Sequence, residues 1–123
     1  MKFESLSGKT LNRVATDYDK LTFYCSDNSV YELVGSEKDW GSECRLEDIT
    51  EGYEDALTDT LIVEAYMSQD EIDDVEIDDK EDSWWTFYRI ITTKGTVVIR
   101  WYHYCESPYY SSEAYFNQIK PPQ

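Results

Sequence analysis

Three groups of side chains in this chain have residue types and spacings that could do chemistry. The first is DEIDDVEIDDKED at residues 70–82, nine carboxylates and one lysine in thirteen positions. Within it Asp74, Glu76 and Asp78 have the alternate spacing of a calcium-binding loop. Asp79, however, stands at the sixth position, where that loop needs glycine for its sharp turn, and no helical pattern flanks the run. What remains is the charge itself. The run is either a solvated connection between strands or a strip of carboxylates that imitates a phosphate backbone and meets an arginine-rich groove. In the second case Glu71, Asp73, Asp74, Glu76, Asp78 and Asp79 supply the charge, and Tyr109 and Tyr110 act as aromatic anchors.

The second group follows directly: an aromatic-rich C-terminal third containing Arg89 and Arg100. In an extended chain, side chains alternate between faces, so Trp85, Phe87 and Arg89 share one face while Trp84, Thr86 and Tyr88 share the other. One face should be core. The other either packs under another element or forms a binding surface, because tyrosine and tryptophan beside arginine are rigid amphipathic anchors. An alternative use is nucleotide capture, with Trp85, Trp101 and Tyr110 stacking on a base and Arg89 or Arg100 on its phosphates. That alternative weakens if the arginines pair with internal carboxylates.

The third group is His103 with Cys105, two apart, plus Cys25 and Cys44. Together they make a Cys3His zinc set on paper, but structural zinc sites draw on close cysteine pairs and none is present. The same two residues are the sole adjacent pair for a nucleophilic dyad, and nothing marks an oxyanion site. Acidic neighbours such as Glu47 with Asp48, or Glu54 with Asp55, are expected by chance among 26 acids. The chain has no phosphate-loop, dinucleotide-fold or serine-hydrolase signature. No metal, no cofactor and no enzymatic activity are expected.

Positioning these groups requires a framework, and 123 residues suffice for one domain, residues 1–123, with an acidic loop at about 69–83. An apolar content of 41% and an aromatic content of 15% supply a core. KTLNRVATD and KLTFYCSD read as short strands, and LTFYCSDNSVYELVG as strand, turn and strand, with Asp27 and Asn28 suited to a two-residue turn. From Ser36 to Thr60 alternation fades, and SECRLEDI and EGYEDALTDT suggest one or two short helices. LIVEAYMS returns to strand character. WWTFYRIITTKGTVVIRWYHY is the strongest signal, a long hairpin turning at Gly95. EAYFNQI, beyond the turn at Pro108, suits a last strand or a helical turn equally. The expected fold class is therefore α+β, a mostly antiparallel β-sheet with one or two short helices inserted mid-chain.

Formal net charge is −15, and its distribution is uneven: −8 over residues 1–60, −9 over 61–82 and +2 over 83–123. Such a field repels nucleic acid and anionic membranes and attracts basic surfaces, so direct nucleic-acid binding is not expected. No window is apolar enough for a bilayer span, MKFESLSGKT lacks the apolar core of a signal peptide, and three widely spaced cysteines suit reduced thiols.

With CRLEDITEGYEDALTDTLIVEAY, then WWTFYRIITTKGTVVIRWY, then YYSSEAYF, the chain resembles an uncharacterised domain family found chiefly in phage and prophage genes, over residues 6–117. The most specific parts are Glu47, Asp48 and Ile49, Trp85 to Tyr88, Lys94 and Gly95, Ile99 to Tyr102, and Tyr109 to Ser111. It departs from the family where HYCESP replaces a Gly- and Asn-containing turn, and where Cys44 stands in place of a cysteine pair. The resemblance implies a small phage-borne protein without an assigned activity, acting in the cytoplasm of an infected bacterial host. Taken with the charge, it suggests a non-enzymatic inhibitor of anti-CRISPR or anti-restriction type. Such an inhibitor would dock as a DNA mimic on a host protein with a basic nucleic-acid-binding groove. A sponge for an immune signalling nucleotide and a phage structural or assembly protein are the alternatives.

Overall fold

A computed structural model describes residues 1–35, 42–71, 82–105 and 114–122. A 3-10 turn at Phe3–Leu6 precedes eight strands and one helical turn. The strands are β1 (Thr10–Asp17), β2 (Lys20–Cys25), β3 (Val30–Gly35), β4 (Ser42–Ile49), β5 (Thr60–Glu71), β6 (Asp82–Thr92), β7 (Gly95–Cys105) and β8 (Ala114–Lys120). The helical turn, α1 (Tyr53–Ala56), lies between β4 and β5. All eight strands belong to one sheet in the order β4-β7-β6-β5-β1-β2-β3-β8, with antiparallel pairing between neighbours.

The fold is thus essentially all-β, which corrects the α+β expectation. The error lies in SECRLEDI, which forms β4 against β7. Its composition suits a helix, but Cys44 and Leu46 alternate with Glu43, Arg45 and Glu47, and cross-strand pairing decides the outcome over intrinsic propensity. Only α1 survives of the expected helices, a single turn opened by Gly52 at a φ of 80°. The open choice at the C-terminal end resolves as strand β8.

Three turns set the ends and register of the strands they join. Asn28, at a φ of 68°, closes a three-residue β2–β3 loop in place of the expected two-residue one, with Cys25 N–H donating to the Ser29 carbonyl at 3.0 Å. Asp27 Oδ1 accepts the Ser29 amide at 2.9 Å, and Asp27 Oδ2 holds Lys9 Nζ at 2.7 Å. The β6–β7 hairpin turns through Thr93 and Lys94, just ahead of the expected Gly95, which opens β7 at a φ of 147° paired with Thr92; the Lys94 amide donates to Thr92 Oγ1. The β1–β2 hairpin turns through Tyr18 and Asp19, since Asp17 pairs with Lys20.

The sheet bends where β5 hands over from β1 to β6. Only Thr60 and Leu61 pair with β1, and the rest of the strand runs along β6. Bending lets the two half-sheets share one core. Phe23, Leu33 and Phe116 from one half join Tyr88, Ile90, Ile99 and Trp101 from the other, all buried. Phe3 lies between the halves, 4.9 Å from the Tyr88 ring and 5.4 Å from that of Phe116, both edge-on. Each fully buried large apolar side chain stabilises such a core by about 1.5–3 kcal/mol. The free flank of β4 approaches the other half as well: the Leu46 amide donates to Asp19 Oδ1 at 3.0 Å.

Candidate interaction face

Alternation along β6 and β7 sends Tyr88, Ile90, Val97, Ile99 and Trp101 inward and leaves Trp85, Phe87, Arg89, Arg100 and Tyr102 half-buried on the outer face. Strand register then fixes neighbours: Trp85 is opposite Tyr102, and Phe87 is opposite Arg100. On the flanks, β4 sets Arg45 opposite Tyr102 and Asp48 opposite Arg100, while β5 sets Tyr66 opposite Arg89 and Ser68 opposite Phe87. The result is a ribbon in which arginines and rings cover one another across four strands.

Its geometry is specific. The Arg45 guanidinium lies 4.5 Å from the Tyr102 centroid, and Tyr102 meets Trp85 edge-on at 5.4 Å. Arg100 lies 4.3 Å over Trp85, and Arg89 lies 5.0 Å from Phe87 and 5.9 Å from Tyr66. Carboxylates hold two of these cations from the side. Arg45 meets Glu43 at 3.1 Å and Glu47 at 3.2 Å, and Arg100 Nη2 meets Asp48. Arg89 Nη1 donates to Ser68 Oγ. A bulge between Leu46 and Asp48 brings the Asp48 carboxylate to Arg100.

The electrostatics follow from these contacts. Burial alone would lower the Arg45 pKa, but Glu43 and Glu47 outweigh it and hold the guanidinium above its ordinary value. Burial raises the Tyr102 hydroxyl above its ordinary value, with Arg45 opposing. Arg100 Nε is buried without a hydrogen-bond partner, beside a shallow groove of about 400 Å³ lined by Asp48, Ile49, Thr50, Phe87, Val98 and Arg100. Rigid, half-exposed Trp, Tyr and Arg side chains are the types that dominate protein-binding energy. A phosphate ligand would first have to displace the carboxylates that hold Arg45 and Arg100.

The residues singled out from sequence divide accordingly. Trp85, Arg89 and Arg100 are brought together on the outer face. Trp101 is fully buried on the inner one, because odd-numbered residues of β7 face the core, so it cannot stack on a nucleotide bound beside Trp85. Glu71 ends β5 opposite Trp84. Asp73, Asp74, Glu76, Asp78, Asp79, Tyr109 and Tyr110 lie outside the described residues. Arg45, Asp48 and Tyr66 were not singled out as site residues. Reading SECRLEDI as a strand would have found Arg45, which alternation then places on the face of Tyr102, whereas Asp48 reaches that face only through the bulge after Leu46.

The third group lies on the inner face. His103 is buried, its ring stacked on Trp84 at 5.1 Å and its Nε2 2.7 Å from Thr86 Oγ1. Cys44 sits opposite His103 across β4 and β7, whereas Cys25 belongs to the other half-sheet; all three cysteines are buried. Among the described residues no three His, Cys, Asp or Glu side chains are placed to hold a metal ion, and no helix is long and apolar enough to cross a membrane.

Comparison with known proteins gives one relationship. No curated protein and no solved structure matches the chain. The sequence model of a domain of unknown function, DUF7448, matches residues 4–116, which span both half-sheets and every residue of the ribbon. The chain belongs to the DUF7448 family.

Proposed function

We propose that the protein is a non-enzymatic binding protein that docks its acidic surface onto the basic nucleic-acid-binding groove of another protein. One observation carries this reading. Two of the three cations of the described ribbon are matched by the chain's own carboxylates, Arg45 by Glu43 and Glu47 and Arg100 by Asp48, while Arg89 is held by the Ser68 hydroxyl. The acid excess behind the net charge of −15 is therefore left for an external cationic partner. The acidic sequence joins Glu71, the end of β5, to Asp82, the start of β6, two of the strands that carry the ribbon. Charge would steer the encounter, and the Arg–aromatic ribbon would anchor it. The resemblance to phage and prophage genes supports a setting in the cytoplasm of an infected bacterium, where a target would be a host nuclease of a defence system.

Capture from such a lysate on the immobilised protein, followed by elution with duplex DNA, tests this. The expected eluate is a nucleic-acid-processing protein that DNA displaces. Proteins that stay bound through DNA and leave only on denaturation would contradict the reading.

A second reading has a narrower basis: Trp85, Arg89 and Arg100 share one open face, which suits a nucleotide. A rise in melting temperature with cyclic or ADP-ribose-type nucleotides would favour it, and a flat response across such a panel would remove it.

A further inference from the structure

The β1–β2 hairpin carries a feature that the core does not explain. Tyr18 is 94% exposed and sits at a φ of 48°. A bulky side chain in the left-handed region is strained, and a two-residue turn accepts Gly, Asn or Asp there at lower cost. The ring buries nothing in return. Yet the turn is firmly held: the Asp19 carboxylate accepts the Leu46 amide at 3.0 Å and the Asp19 carbonyl accepts the Gly35 amide at 3.2 Å. Two strands thus fix the position from which Tyr18 projects. Strain retained at an exposed, braced position is typical of residues that serve contact rather than folding.

The other rings offer a comparison. Tyr24, Tyr31, Tyr66, Trp85, Phe87 and Tyr102 each already face an internal Lys or Arg. Tyr18 has no such cation and no ring neighbour among the described residues, and Asp17 and Asp19 flank it. Asp17 and Asp19 are themselves exposed.

We infer that Tyr18 is a docking anchor that receives an arginine side chain from a protein partner, the guanidinium stacking on the ring between the two flanking carboxylates. This rests on the reading of an acidic protein that meets a basic groove, and it names one point of contact. A ring-to-guanidinium contact at an exposed site is worth about 0.5–1 kcal/mol, which corresponds to about 2- to 5-fold in affinity.

The test uses the full chain, a deca-arginine peptide as probe, and calorimetry at low salt. Tyr18→Gly should bind the peptide about 2- to 5-fold more weakly than wild type while melting at a higher temperature, because the strain is relieved. Tyr18→Phe should bind like wild type. Equal binding by wild type and Tyr18→Gly would overturn the assignment, as would a lower melting temperature for Tyr18→Gly, which would make the ring structural. If Tyr18→Gly binds normally while neutralising the acids at 71–79 abolishes binding, the anchor is wrong and basic-groove docking stands. No binding of the peptide by wild type sinks both.

Discussion

Arg100 stacks 4.3 Å over the ring of Trp85 while Asp48 holds its outer nitrogen, so one guanidinium ties three strands together on the open face of the sheet. Because both partners are half-buried, the stack should contribute measurably and the ion pair less. A double-mutant cycle with Trp85→Ala and Arg100→Ala should give a coupling of about 0.5–1 kcal/mol in urea unfolding. The Asp48 carboxylate is 56% exposed, so Asp48→Asn should cost less than about 1 kcal/mol. A coupling near zero would mean that the ribbon is a set of independent surface residues.

Contact between the half-sheets makes a second prediction. A Cβ added at Gly35 would lie 3.0 Å from the Cys44 carbonyl and 3.2 Å from both Cys44 Sγ and Trp101. Alanine usually stabilises by restricting the unfolded chain, by about 0.4–1 kcal/mol, but overpacking costs about 1–3 kcal/mol and the crowded atom is backbone. Gly35→Ala should therefore lower the melting temperature. Trp101→Ala should lower it further, by about 3–5 kcal/mol of stability. A stabilised Gly35→Ala variant would show that the two halves do not meet there.

Much of this framework was legible from residue types. The β6–β7 hairpin announced itself through β-branched and aromatic runs around Lys94 and Gly95, and its two faces followed from alternation alone. Strand β4 was not legible by composition, because Ser42 reads as a cap and Glu43, Leu46 and Glu47 as helix formers until β7 supplies a partner. Trp101 looked like a ligand platform for a related reason. Its type suits stacking, but only its odd-numbered place on β7 decides that it is core. Partner charges such as Asp48 with Arg100, 52 residues apart, depend on register and a bulge, which no local pattern encodes.

Acid should probe the β2–β3 turn. Lys9 foremost, then the Ser29 hydroxyl and amide, hold the Asp27 carboxyl well below the usual carboxylate range. A depressed folded-state pKa contributes stability that is full above the unfolded value near about 4 and is lost as pH falls below it. Relief of repulsion among the other carboxylates works in the opposite direction, so the comparison must be with Asp27→Asn. The difference in stability between wild type and Asp27→Asn should shrink as pH drops below about 4. Because Asp27 is partly exposed, that difference at neutral pH should not exceed about 1 kcal/mol. A difference that does not change with pH would contradict the assigned contacts.

The most direct test of acidic docking is the salt dependence of affinity for the protein recovered by DNA elution. Wild type should lose affinity steeply as salt rises. A variant with Glu71, Asp73, Asp74, Glu76, Asp78 and Asp79 changed to their amides should bind more weakly at low salt, with a distinctly flatter slope. Equal affinities and parallel slopes for the two proteins would contradict the account.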